Sequence, residues 1–302
     1  MQTERLKNKA SISWLLVPFL LMIATASGQY RKPLDVPFVP TPEEVVESML
    51  ALAEVGESDV LYDLGCGDGR IVITAAKKYG CRGVGIDMDP DRIRESRANA
   101  AEAGIEDRVE FLQMDLFQAD FSQATVVTLY LLTEVNRKLR PKLLSELNPG
   151  TRVVSHDFDM GEWKADKETF VEDYWEVHSV YFWKIPANVT GTWKWTMPED
   201  LGQSKMTLKI DQNFQRLTGK VSERSLGFPF EIEAGEIDGT SLRFVIERKH
   251  KGKRERLLFE GTTRGHTIEG TIKKEGSSAV YKWITKRNPA TMTAINGSSA
   301  RF

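Results

Sequence analysis

Residues 62–70 read YDLGCGDGR. Three glycines, Gly65, Gly67 and Gly69, alternate with Cys66 and Asp68 directly after an apolar run. A backbone stripped of side chains between a strand and a helix lets a ligand lie against it, beside the first free N–H groups of the helix. The spacing departs from the G-x-G-x-x-G of dinucleotide sites, because Arg70 stands where the third glycine would be. Asp63 and Asp68 make the loop acidic. Such a loop repels a pyrophosphate but suits a ligand that carries an ammonium and a sulfonium.

Working outward from the loop, the chain alternates strand and helix signals. Thr41 is expected to cap a first helix that runs to about Glu54, with Pro42 at its first position and Glu44 closing a capping box. Strands are expected over 59–64, 82–87, 108–112, 125–130 and 151–155. The helices between them start near Gly69, Asp89-Pro90 and Thr133, with Thr133 expected to cap the last and Pro141 to divide it. The pattern implies an α/β, Rossmann-like doubly wound sheet. Residues 174–185, YWEVHSVYFWKI, read as a strand that ends the sheet antiparallel.

After Asn188 the texture changes to about eight short alternating strands with turn signals at Asp238-Gly239 and Lys251-Gly252. That series predicts an all-β domain, an up-and-down barrel with a β-sandwich as the alternative. The divisions expected are residues 1–32 as a signal peptide or membrane anchor, 33–187 as the α/β domain, 188–290 as the barrel and 291–302 as a flexible tail. The first segment has Arg5, Lys7 and Lys9 before a stretch free of charge from Ala10 to Tyr30, with Ala24-Thr25-Ala26 resembling a cleavage site.

The net charge of -2 hides an asymmetry: residues 33–187 hold 16 Lys+Arg against 29 Asp+Glu, residues 188–302 hold 20 against 13. The two cysteines, Cys66 and Cys81, fall at opposite ends of adjacent parallel strands, which excludes a disulfide between them.

Asp87 ends the second strand, where an acid can accept both ribose hydroxyls of a nucleoside. Asp115, after the third strand, is placed to bond an adenine amino group. With Asp63-Leu64-Gly65-Cys66-Gly67-Asp68-Gly69 this set resembles class I S-adenosylmethionine-dependent methyltransferases over roughly residues 36–185. The resemblance implies S-adenosyl-L-methionine as cofactor, held by Asp63, Gly65, Gly67, Gly69, Asp87 and Asp115. VPFVPTP, DLGCGDGRIVITAA, LRPKL and RVVSHDF are more narrowly similar to the small protein-lysine methyltransferases related to those acting on the membrane-ring protein of ATP synthase and on the adenine nucleotide translocase. In that family the segment before the first helix folds over the methionine end, which implies that Thr41 bonds its carboxylate. The relatives lack a C-terminal barrel. Gly191-x-Trp193 and Arg287 resemble the calycin (lipocalin-like) barrels, in which the Trp and Arg pack together to close one end.

For catalysis, Tyr130 at the end of the fourth strand is the candidate channel residue, and His156 after the fifth a candidate proton acceptor. Asp157 and Asp159 could attract a substrate ammonium. With no His/Cys cluster apparent nearby, no metal site is expected. The absence of an Asn-Pro-Pro-Tyr motif and the acidic first half weigh against nucleic acid. The leading expectation is methyl transfer to a protein lysine. The alternatives are a small-molecule or lipid acceptor, and an exported binding protein with a vestigial first domain. The N-terminal segment implies a membrane-associated or exported protein, and the cytosolic supply of S-adenosylmethionine favours the cytosolic side for the catalytic body.

Overall fold

The computed structural model describes residues 36–223, 229–250 and 252–296. The N-terminal apolar segment, read above as signal or anchor, lies outside the described residues, as do residues 297–302. Among the described residues no helix is long and apolar enough to cross a membrane.

The first half alternates as the sequence indicates: α1 (Glu43–Leu52), β1 (Val60–Leu64), α2 (Arg70–Tyr79), β2 (Arg82–Asp87), α3 (Pro90–Ala103), β3 (Val109–Gln113), β4 (Val126–Leu129), α4 (Thr133–Glu146) and β5 (Arg152–His156). Two further strands, β6 (Lys167–Glu172) and β7 (Val177–Lys184), complete a sheet of order β3-β2-β1-β4-β5-β7-β6. The first five strands are parallel; β7 is antiparallel to β5, and β6 to β7. The winding reverses between β1 and β4, so a crevice opens at their carboxyl ends.

Four sequence expectations are corrected. Thr41 does not cap α1: Pro42 is the cap residue, no side chain bonds the first turn, and the Thr41 hydroxyl turns to His156. Thr133 does not cap α4 either, since the cap position is Leu132. Pro141 sits inside α4 without dividing it, because buried Leu139 and Leu143 on either side pack into one core. The antiparallel strand does not end the sheet, because β6 pairs outside it. The charged sequence KETFVE of β6 carries little apolar signal, as befits a protected edge.

The second half is a closed barrel of eight antiparallel strands: β8 (Gly191–Thr196), β9 (Lys205–Asn213), β10 (Arg216–Glu223), β11 (Phe230–Asp238), β12 (Ser241–His250), β13 (Lys253–Arg264), β14 (Thr267–Lys274) and β15 (Val280–Arg287). The ring closes where Arg287 pairs with Trp193, so the sandwich alternative is excluded. There the guanidinium lies 5.1 Å from the Trp193 ring centre and donates to the carbonyls of Asn188, Thr190 and Gly265. The interior is filled by Trp193, Trp195, Phe244, Phe259, Trp283 and aliphatic neighbours. The segment expected to be a loose tail is tied down over 291–296: Thr293 O accepts from Asn188 and Thr190, Asn296 bridges to Asn213, and Ile295 is buried.

The two halves share a core. Phe214, in the β9–β10 turn, stacks on Trp163 at 5.6 Å, and Trp163 donates to Gln215 at 2.8 Å. The Ala187 N–H donates to Gly239 O at 2.7 Å, near the amino-terminal end of β5 and opposite the crevice.

Candidate functional site

The crevice at the switch point holds a cleft with about 950 Å³ of empty space, part of it open to solvent. Among the described residues its lining falls between Val36 and Val135, with none from the barrel. Asp63, Gly65, Gly67, Asp87, Asp115, Thr41 and Tyr130 all line it.

The glycine loop hangs on β2, with Gly65 and Cys66 N–H both donating to Ile86 O. Gly65 and Gly67 adopt φ +86 and +53. A Cβ at Gly65 would lie 2.9 Å from Leu131, and one at Gly67 would lie 2.4 Å from the Phe38 ring. The backbone is thus crowded by the walls of the cleft. Gly69 is different. It does not line the cleft, and a Cβ there would strike Phe111 and Ser96, so its demand is helix–sheet packing.

Asp63 is fully buried in β1 and accepts from Thr128 of β4 at 2.8 Å. Burial, with the nearby charges of Asp87 and Asp68, pushes its carboxyl up to about 7 in spite of that bond. A cation in the cleft would relieve this crowding of acids, which fits a sulfonium- and ammonium-bearing ligand. Asp87 accepts from the Gly67 N–H at 2.9 Å and the Asp89 N–H at 2.8 Å, leaving lone pairs for hydroxyls. Asp115 accepts from the Phe117 N–H at 3.0 Å, which holds the turn at the cleft wall.

Sequence reading missed the clamp that shapes this site. Arg70 turns back to Asp68 at 2.6 Å and donates to the Thr41 carbonyl at 2.8 Å, fixing residues 36–41 over the loop. Arg92 stacks on Phe38 at 4.5 Å and holds that ring against Gly67. The signal was present in Arg70 itself, a long cation where a dinucleotide loop has glycine. Cys66 is buried, and burial together with Asp63 and Asp87 pushes its thiol up, so it is no nucleophile.

Tyr130, at the end of β4, stacks on His156 at 3.8 Å; burial, then the charges of Asp157 and Glu176, raise its phenol. His156 has no exposed surface and lies behind Tyr130, outside the cleft lining. Burial lowers it to about 4, against the pull of Asp157, so it is neutral. It supports Tyr130 from beneath instead of facing an acceptor. The expectation of no His cluster is also corrected: His178 of β7 lies 2.9 Å from His156, and Asp157 contacts both rings. His178 shares the buried parity of Val180 and Phe182 along β7, the period-2 signal that could have placed it inside. Asp159 accepts from the Gly161 N–H at 3.2 Å.

The family description "ANTKMT methyltransferase domain" matches residues 63–167. The chain is 50% identical over 151 residues to a protein-lysine N-methyltransferase of Saccharolobus islandicus, covering 50% of this chain and 94% of that protein. It is 35% identical over 133 residues to the Mus musculus lysine N-methyltransferase named for the C-type subunit of ATP synthase, covering 44% of this chain and 53% of that enzyme. The chain thus spans about half the length of that mouse relative. Among solved structures, an RNA methyltransferase from Salinibacter ruber in complex with S-adenosyl-L-homocysteine is 60% identical, with TM-score 0.48, covering 50% of this chain and 96% of that one. With an acid-rich cleft suited to a sulfonium nucleoside and near-complete coverage of the Saccharolobus protein, this chain belongs to the S-adenosylmethionine-dependent protein-lysine methyltransferase family.

Proposed function

We propose that this methyltransferase transfers the methyl group to the side-chain amine of a protein lysine. The observation that carries the reading is Tyr130, which with Leu131 forms an aromatic and apolar wall of the cleft beside Gly65 and Asp63. The names of the Saccharolobus and mouse relatives support it. Asp63 is assigned to the ammonium of the cofactor, Asp87 to its ribose, Asp115 to its adenine, and the Gly65 and Gly67 backbone to close contact with it. Thr41, on the segment over the loop, is assigned to its carboxylate end.

When bound, the cofactor would supply an electrophilic sulfonium methyl; transfer would form a bond from the acceptor nitrogen to that carbon and break the carbon–sulfur bond, the sulfur leaving as a neutral thioether. The chain's own residues position and desolvate. A lysine amine attacks only when neutral, and its reference pKa is ~10.4. The apolar faces of Tyr130 and Leu131 disfavour its charged form and hold it close to the reacting carbon. The proton leaves to solvent; neutral His156 keeps Tyr130 in place and takes no part in that step. The β6–β7 turn exposes Tyr174 and Trp175 next to Asp173 and Glu176, a rim that suits a basic protein segment. The intact acids and glycines speak against a vestigial first half, and the filled barrel interior speaks against an apolar ligand held there.

The test incubates the full-length chain, or its Asp87→Ala variant, with methyl-labelled S-adenosylmethionine and a host lysate, split into protein, RNA, lipid and small-molecule fractions. Label recovered as methyl-lysine from a protein band and absent with the variant is expected. Label confined to RNA or lipid would overturn the acceptor assignment. The apolar N-terminus and the cytosolic supply of cofactor together favour a membrane-held enzyme with its catalytic body in the cytosol. Digestion of that body by protease added to intact cells would reject this placement.

A further inference from the structure

His156, Asp157 and His178 meet behind Tyr130 in an arrangement that hydrogen bonding alone does not satisfy. His156 Nε2 and His178 Nδ1 are 2.9 Å apart, Asp157 Oδ2 is 3.0 Å from His178 Nδ1, and the same oxygen is 3.2 Å from His156 Nε2. Each of the three atoms is therefore within bonding distance of both others. Two ring nitrogens carry at most one proton each in their planes, and a carboxylate brings none. If both nitrogens are protonated toward Asp157, two N–H groups face each other across 2.9 Å. If only one is protonated, a bare nitrogen faces the carboxylate oxygen. With Asp157 as a carboxylate, every assignment leaves one of the three contacts repulsive, and a cation between the three atoms makes all of them attractive.

The geometry points to a mononuclear site for a divalent first-row transition ion of the zinc type, held by His156 Nε2, His178 Nδ1 and Asp157 Oδ2. An ion ~2.05 Å from each atom would subtend angles of about 90° to 105° at these separations, within the range of three-ligand sites that keep an open position. Each outer ring nitrogen has a polar side chain near it. His156 Nδ1 is left to face the Thr41 hydroxyl at 3.3 Å, and His178 Nε2 faces Asp173 Oδ2 at 3.3 Å. The His156 ring thus has a hydrogen-bond partner on its far side, and the His178 ring has the Asp173 carboxylate close by without an aligned hydrogen bond. Both imidazoles are buried, and Asp157 is held at φ +55 with its second oxygen accepting from the Ser179 N–H at 2.8 Å. The ion would tie the ends of β5 and β7 to the segment that leads into the first helix, directly behind the wall of the acceptor channel.

The site does not depend on which acceptor is methylated, and its test reads metal, not activity. Untagged full-length protein is stripped with a chelator, titrated with zinc chloride, desalted and assayed by inductively coupled plasma mass spectrometry; cobalt(II) loading is followed by its visible d–d bands. One zinc per chain is expected. Zinc affinity should fall at least roughly 100-fold in His178→Ala and in Asp157→Ala, and roughly 10- to 100-fold in the milder Asp173→Asn. S-adenosylhomocysteine binding, measured calorimetrically, reports whether each variant is folded; should the alanine variants fail that check, Asp173→Asn decides. No stoichiometric zinc on the parent protein, or zinc retained undiminished by folded variants, would overturn the assignment.

Discussion

A side chain at Gly67 meets two obstacles at once: a left-handed backbone at φ +53, and the Phe38 ring 2.4 Å from where its Cβ would be. Gly67→Val is therefore expected to lose S-adenosylhomocysteine binding in calorimetry while keeping its far-ultraviolet dichroism; a folded variant that binds like the parent would contradict the site. Asp63 makes a prediction of opposite sign for stability. Its carboxyl titrates near 7 when folded, against ~3.9 unfolded, so the folded state holds the proton more tightly. Stability of the ligand-free protein should then fall as pH rises from about 4 to about 7 and level off above. Asp63→Asn should stabilise the ligand-free protein by up to ~4 kcal/mol at pH 8 and by little at pH 4, while weakening cofactor binding. Urea unfolding at the two pH values checks this, and equal effects at both would refute it. The strain of a buried acid is the cost of keeping a negative site ready for a cation.

Among the elements, the 36–41 segment matters most because it has no secondary structure to hold it. Its position rests on Arg70, which spans from Asp68 to the Thr41 carbonyl. Arg70→Ala should release the segment and weaken S-adenosylhomocysteine binding roughly 10-fold; an unchanged affinity would show that Phe38 and its prolines hold the segment unaided. The parallel strands were legible because near-continuous apolar runs and the glycines between them signal a buried sheet. β6 was not, since an edge strand needs no apolar face. The misread caps at Thr41 and Thr133 share a cause: a hydroxyl is an N-cap in sequence only until the tertiary structure places it otherwise, and for Thr41 the competing partner is His156, 115 residues away.

Across the whole molecule, the barrel and the sheet are joined by aromatic packing, whereas among the described residues the cleft is lined by residues from 36 to 135. Phe214→Ala should cost about 3–5 kcal/mol in guanidinium unfolding, as for other buried Phe truncations, and leave S-adenosylhomocysteine affinity unchanged. A loss of affinity would mean that the barrel supports the cleft through the sheet. The barrel itself was readable as eight alternating strands, and its closure through Trp193 and Arg287 follows from two residues that are 94 positions apart yet adjacent in the ring.

The local chemistry of this chain is written in its order of residues: glycines that permit a close approach, acids at strand ends, and alternation that separates sheet from barrel. These depend on short-range backbone sterics and on periodicity, which neighbouring residues are enough to specify. The clamp by Arg70, the retreat of His156 behind Tyr130 and its meeting with His178 depend on which strand ends come together. That is set by sheet order and register, and residues 22 apart in sequence become neighbours only because β7 runs back alongside β5. Burial then determines what those side chains can do, lowering His156 and raising Asp63 through the same loss of water.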